Sequence, residues 1–177
     1  MKPQISDLKS HTSGSSGEAD ESLFEYLHAE IMNYVVSKNV PMNKDGEENL
    51  TRLEHMGFYV GYRIIERITR EWPRFKEELD MIKFICTDFW PPLFQKPIDN
   101  LKTNHQGIYV LQDNEFRLLK RLGNNDSKQY LCESPRLIAF TCGLLRGSLA
   151  NLGIVSIVKA EMTSLPSCKF HVEVQRV

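Results

Sequence analysis

Cys168 and His171 are the nearest thing to a metal-ligand pair in the chain. The segment that holds them, CKFHVEVQRV, reads as a strand, and residues three apart on a strand project to opposite faces. They could share a metal only across a bulge, so the spacing points away from a metal centre. His105, in TNHQG, could act as a base, but no Ser or Cys nucleophile with an acidic orienter stands in a recognisable arrangement with it. The acid-rich stretches KEELD and GEEN read as solvated helix faces. No G-x-G-x-x-G, P-loop or H-E-x-x-H pattern occurs. The residue chemistry therefore describes a protein that is not an enzyme and needs no metal or cofactor.

Two glycine pairs are the less ordinary feature. Gly143 and Gly147 interrupt CGLLRG, and Gly57 and Gly61 interrupt GFYVG, each pair four apart in an apolar helical stretch. A glycine inside a helix costs about 1 kcal/mol relative to alanine. In a membrane span such spacing would mean helix dimerisation, but Arg63, Glu66 and Arg146 forbid that setting. What remains is a bare stripe that lets another backbone or ring approach closely. Internal packing and a subunit interface both satisfy this. The rings of Phe58, Tyr59 and Tyr62 beside the first pair favour the interface there, because aromatics are enriched in interface cores. For Gly143 and Gly147 the expectation is helix packing.

The elements that carry these residues can be read along the chain. Its 177 residues suit one domain, and 22 basic against 23 acidic residues leave a formal charge of -1. That balance gives no field to gather nucleic acid or anionic lipid. No apolar run approaches the length of a membrane span or a secretory signal, so a cytosolic chain with free thiols at Cys86, Cys132, Cys142 and Cys168 is expected. Residues 1–21, around HTSGSSGEADE, have the composition of a disordered tail, and the folded domain is expected over 22–177.

Ser22 with Glu25 opens a helix whose face carries Leu23, Leu27 and Ile31, with Phe24 beside it. A second helix is expected over about 49–69. A third is expected from Pro73 to Phe89, stopped by Pro91-Pro92. IYVLQDNEFRLL reads as a hairpin about QDNE. Ser134-Pro135 then starts a helix that Gly153 closes, and two strands flank TSLPS. The order is ααα-ββ-α-ββ, an α+β chain.

MGFYVG (56–61), FKEELDMIKFICTDFW (75–90), TNHQGIYVLQDNEF (103–116), FTCGLLRGSL (140–149) and LPSCKF (165–170) together resemble the small subunits of the transport protein particle, TRAPP, of the subunit-six type. The resemblance covers residues 22–177. It implies an α/β plait, with helices packed on one face of a four-stranded antiparallel sheet, and no active site of the subunit's own.

The same resemblance implies a heterodimer with the homologous acylated small subunit, formed largely through the first two helices. On this chain that interface would be carried by Phe24, Leu27, Ile31, Met56, Gly57, Phe58, Val60, Gly61 and Ile64. It further implies other TRAPP subunits as neighbours and guanine-nucleotide exchange on a Rab GTPase by the assembled complex. Transport from endoplasmic reticulum to cis-Golgi follows, with the membrane met only through the complex. Where the sister subunit carries its acylated cysteine, this chain has EWPRF, with Trp72 and no cysteine. A rival expectation is a module of related fold that binds an acyl chain or small molecule between helices and sheet.

Overall fold

The computed structural model describes residues 22–37, 45–104, 106–120 and 127–176. The expected tail, residues 1–21, and His105 lie outside them. Four helices of unequal length come first: α1 (Ser22–Ser37), α2 (Asp45–Ile68), α3 (Glu78–Phe84) and, after a π-helical turn at Ile85–Phe89, α4 (Trp90–Phe94). Strands β1 (Asn100–Thr103) and β2 (Ile108–Asp113), the single turn α5 (Arg117–Lys120), the long α6 (Ser127–Asn151), β3 (Ser156–Ser164) and β4 (Ser167–Val174) complete the chain.

The strands form one antiparallel sheet in the order β1-β2-β4-β3. Its register lines up Leu101, Leu111, Phe170 and Ala160 across all four strands, with Tyr109, Val172 and Val158 in the next inward row. These residues belong to the same core as Ile65, Phe89, Trp90, Leu144 and Leu145 from the helices. The alternate positions, Lys102, Val110, His171 and Lys159, make up the outer row. The α/β plait with helices on one face is thus the observed architecture. Among the described residues no helix is long and apolar enough to cross a membrane.

Three local expectations are corrected. The first hairpin turns between β1 and β2, one strand earlier than QDNE suggests. The Asn104 side chain accepts the Gln106 and Ile108 N–H groups at 2.9 and 3.1 Å, and Gly107 takes φ +92°, a region glycine enters without strain. FRLL is then a helical turn and not a strand. Its residues Phe116 and Leu119, three apart, are both fully buried, a spacing that a helical turn satisfies and an alternating strand does not.

Pro91 and Pro92 open α4 and do not end the helical run. The Trp90 N–H reaches back five residues to the Ile85 carbonyl, and the Cys86 carbonyl takes the Ile98 N–H at 3.1 Å. A proline at 91 has no N–H to give, so the π-helical turn places the missing donor where another segment supplies it. α6 begins at Ser127, seven residues before the expected cap, and carries Pro135 inside it.

An aromatic cluster fills the space between helices and sheet. Trp90 lies 4.3 Å from Phe94 and 5.4 Å from Phe170, and Phe116 lies 5.1 Å from Phe94 and 5.5 Å from Phe170, as ring centroids. Asp113, wholly buried at the end of β2, accepts the Trp90 indole N–H at 3.1 Å, the Lys96 ammonium at 2.9 Å and the Glu115 N–H at 3.0 Å. A buried carboxylate with three donors is satisfied, and it ties the turn after β2 to the helical layer.

Candidate partner-binding face

α2 and α6 touch backbone to backbone. A Cβ added to Gly57 or Gly61 would fall onto the carbonyl oxygen of Phe140 or Leu144, and one added to Gly143 or Gly147 onto that of Glu54 or Phe58. The carbonyl carbons behind those oxygens would stand only 2.7–2.9 Å away. A step of four residues on one helix matches a step of four on the other, so the helices run in the same sense with both glycine pairs in one seam. Ordinary helix pairs hold their axes 8–10 Å apart because side chains intervene; here none does.

This corrects the placement of Gly57 and Gly61. Both are buried against α6 of the same chain and offer nothing to a partner. Gly143 and Gly147 lie opposite them in the same contact.

With its bare stripe turned inward, α2 presents large side chains outward. Met56, Tyr59, Val60 and Tyr62 are exposed, Tyr59 by 68%. Phe58 is half-buried at the seam, under the guanidinium of Arg146 at 5.4 Å, and Arg146 also approaches Glu54 at 3.7 Å. α1 lies alongside and exposes Leu23, Tyr26, Leu27 and Tyr34, with Leu27 61% accessible.

Between the two helices runs a groove of about 800 Å³. It is lined by Leu27, Glu30, Ile31 and Tyr34 from α1 and by Glu48, Thr51, Arg52, His55 and Met56 from α2. Glu48 and Arg52 in its wall pair with each other, one helical turn apart. The lining offers apolar contact and a few hydrogen bonds. Exposed apolar surface of this kind makes the groove a candidate interaction site.

Of the expected interface residues, Leu27, Ile31 and Met56 come together in the groove, and Val60 is exposed on the same helix. Two others turn toward the chain's own core: Phe24 packs edge-on against Phe94 at 6.4 Å, and Ile64 packs against the main core cluster. Tyr26, Tyr34, Arg52 and His55 belong to the face and were not expected there. The signal for them was present. α1 carries two apolar stripes, and the inward one proves to be Phe24, His28 and Met32.

The remaining candidates for chemistry are dispersed. Cys168 is fully buried on the inner face of β4, while His171 on the outer face contacts Glu161 at 3.2 Å. Burial pushes the thiols of Cys86, Cys142 and Cys168 up to about 12; Glu54 and Asp113 add to the rise at Cys142 and Cys168 respectively. They behave as small hydrophobes. Among the described residues no group of three His, Cys, Asp or Glu is placed to hold a metal ion.

The chain and its fold have relatives. A family model described as "Transport protein particle (TRAPP) component" matches residues 24–175. Trafficking protein particle complex subunit 6b of Danio rerio is 55% identical over 159 residues, covering 90% of this chain and 99% of that protein. Subunit 6A of Homo sapiens is 48% identical over 159 residues, covering 89% and 99%. Among solved structures, subunit 3 of the same complex from Naegleria fowleri, covalently bound to palmitic acid, superposes with a TM-score of 0.72. It covers 88% of this chain and 95% of its own at 15% identity, a likeness of fold. Family model and sequence identity agree along almost the whole described domain, and the chain belongs to the TRAPP small subunits, in the subunit-six branch.

Proposed function

We propose that this chain is a non-catalytic scaffold subunit of the TRAPP complex that pairs with a homologous small subunit through the α1/α2 face. One observation carries the reading: Leu27, Ile31 and Tyr34 of α1 and Met56 of α2 converge on one groove, although the backbone contact that could have served a partner is used internally. Burying Leu27, Tyr34, Met56 and Tyr59 would supply the apolar centre that a stable interface needs. The proposed partner is the acylated small subunit. Exchange activity toward a Rab GTPase would belong to the complex. Action between endoplasmic reticulum and cis-Golgi, and any membrane attachment, would come to this chain through its assembly.

The rival reading, an acyl-chain or small-molecule module, finds less support. Trp90, Phe94, Phe116 and Phe170 occupy the layer between helices and sheet where such a ligand would lie. Trp72 in turn packs on Phe84 at 4.9 Å in the segment that carries the acylated cysteine of the sister subunit. The test is purification of the tagged chain from eukaryotic cells, with quantitative mass spectrometry of what accompanies it. Stoichiometric recovery of the acylated small subunit with other TRAPP subunits is expected. Recovery of the chain without any of them would overturn the proposal.

A further inference from the structure

α1 could dock on its own domain in two ways. At 3.6 residues per turn its apolar side chains fall into two stripes about a third of a turn apart. Phe24, His28 and Met32, flanked by Glu25, form the stripe that faces the domain; Leu23, Leu27 and Tyr34 form the one that faces outward. Apolar transfer alone does not choose the observed arrangement, because the inward stripe includes a histidine and a carboxylate while the outward one carries two leucines and a tyrosine.

Beside the edge-on ring contacts of Phe24 with Phe94 and of His28 with Phe140, a specific polar contact distinguishes the two orientations. The Glu25 carboxylate accepts a hydrogen bond from the Arg117 guanidinium, with the two side chains only 14% and 16% exposed. Arg117 itself is fixed to the sheet. Its neighbours Phe116, Leu118 and Leu119 are buried, and the Phe116 N–H bonds the Pro166 carbonyl at 3.0 Å in the β3–β4 turn. Turning α1 by a third of a turn would bury Leu23 and Leu27 but pull Glu25 away from Arg117. Breaking a largely shielded ion pair is unfavourable.

We infer that the Glu25–Arg117 pair sets the rotational register of α1, and so keeps Leu27 and Tyr34 outward as one wall of the partner groove. Both are positioning residues, and the inference rests on the pairing role proposed above. A sequence with two competing stripes needs such a device, since an apolar face alone specifies contact without specifying which side is shown.

The test uses the full chain with Leu27→Cys as a reporter in a Cys132→Ser background, labelled with a thiol reagent before the partner is added. Pairing with the acylated small subunit is measured separately on chains that retain Leu27. Arg117→Met is expected to slow labelling at position 27 and to weaken pairing, each by about tenfold or more, while unfolding stays cooperative. The exchange E25R/R117E should restore both. Glu25→Gln carries the test if Arg117→Met does not fold. Wild-type labelling and wild-type pairing in these single variants would overturn the register role. Met56→Asp, on the opposite wall and away from the ion pair, separates the two claims. Should that variant still pair normally, the proposed face is wrong, whatever the labelling shows.

Discussion

Gly61 on α2 lies so close to Leu144 on α6 that a Cβ built on it would stand 2.8 Å from the Leu144 carbonyl carbon. Helix propensity favours alanine over glycine by about 1 kcal/mol, so on local grounds Gly61→Ala would stabilise the protein. The structure reverses the sign, because the atom that must move is backbone in the middle of a buried helix. Overpacking of this kind costs about 3 kcal/mol at the upper end of its usual range. Gly61→Ala and Gly147→Ala are each expected to lower the midpoint of thermal unfolding, by roughly 6–12 °C for a protein of this size. Circular dichroism melts measure it directly. An unchanged or higher midpoint would mean that the two backbones are not in contact.

Asp113 supplies a second prediction. Asp113→Ala leaves the fully buried Trp90 indole N–H without its acceptor and removes one of the two carboxylates that Lys96 contacts. Loss of one side of such a network costs roughly 3–5 kcal/mol, and Asp113→Asn, which keeps an acceptor, should cost less. Urea denaturation of the two variants tests this ordering.

The thiols give a pH dependence with a definite sign. Burial raises Cys86, Cys142 and Cys168 from about 9 in the unfolded chain to about 12 in the folded one. Below pH 9 both states hold these protons and the thiols leave stability unchanged. Between about 9 and 12 only the unfolded chain ionises, so the unfolded state binds fewer protons and stability falls as pH rises. The expected results are a lower urea midpoint at about pH 10 than at about pH 8, and no alkylation of these three cysteines without denaturant. Rapid alkylation of the native protein at about pH 8 would contradict the burial.

Much of this was legible in the residues. The order of helices and strands follows in outline from periodicity, although periodicity misses β1 and reads FRLL as a strand, and the four-strand plait comes with the resemblance carried by short segments such as TNHQGIYVLQD. Part of that last motif now has a physical meaning: Asn104 and Gly107 make the hairpin turn, and Asp113 anchors Trp90 and Lys96. The less legible features depend on contacts distant in sequence. Glycines spaced by four announce a close approach without naming what approaches, and the partner of Gly57 and Gly61 is 83 residues away on α6. Likewise α1 shows two apolar stripes, and the arginine in α5 that pairs with Glu25 on the inward side lies 92 positions further along the chain. The π-helical turn before Pro91 depends on a donor from Ile98 that no local rule supplies.

The central claim is that the α1/α2 groove is where this chain meets its homologous partner, and one measurement bears on it most directly. Leu27→Asp and Met56→Asp place a carboxylate on each wall of the groove, at side chains already 61% and 40% exposed, so neither should disturb the fold. In the complex each would bury an unpaired charge, which costs several kcal/mol. Wild-type and variant chains are titrated against the purified acylated small subunit by isothermal calorimetry, with circular dichroism as the check on folding. Folded variants that bind at least about a hundredfold more weakly are the predicted result. Folded variants that bind with wild-type affinity would contradict it.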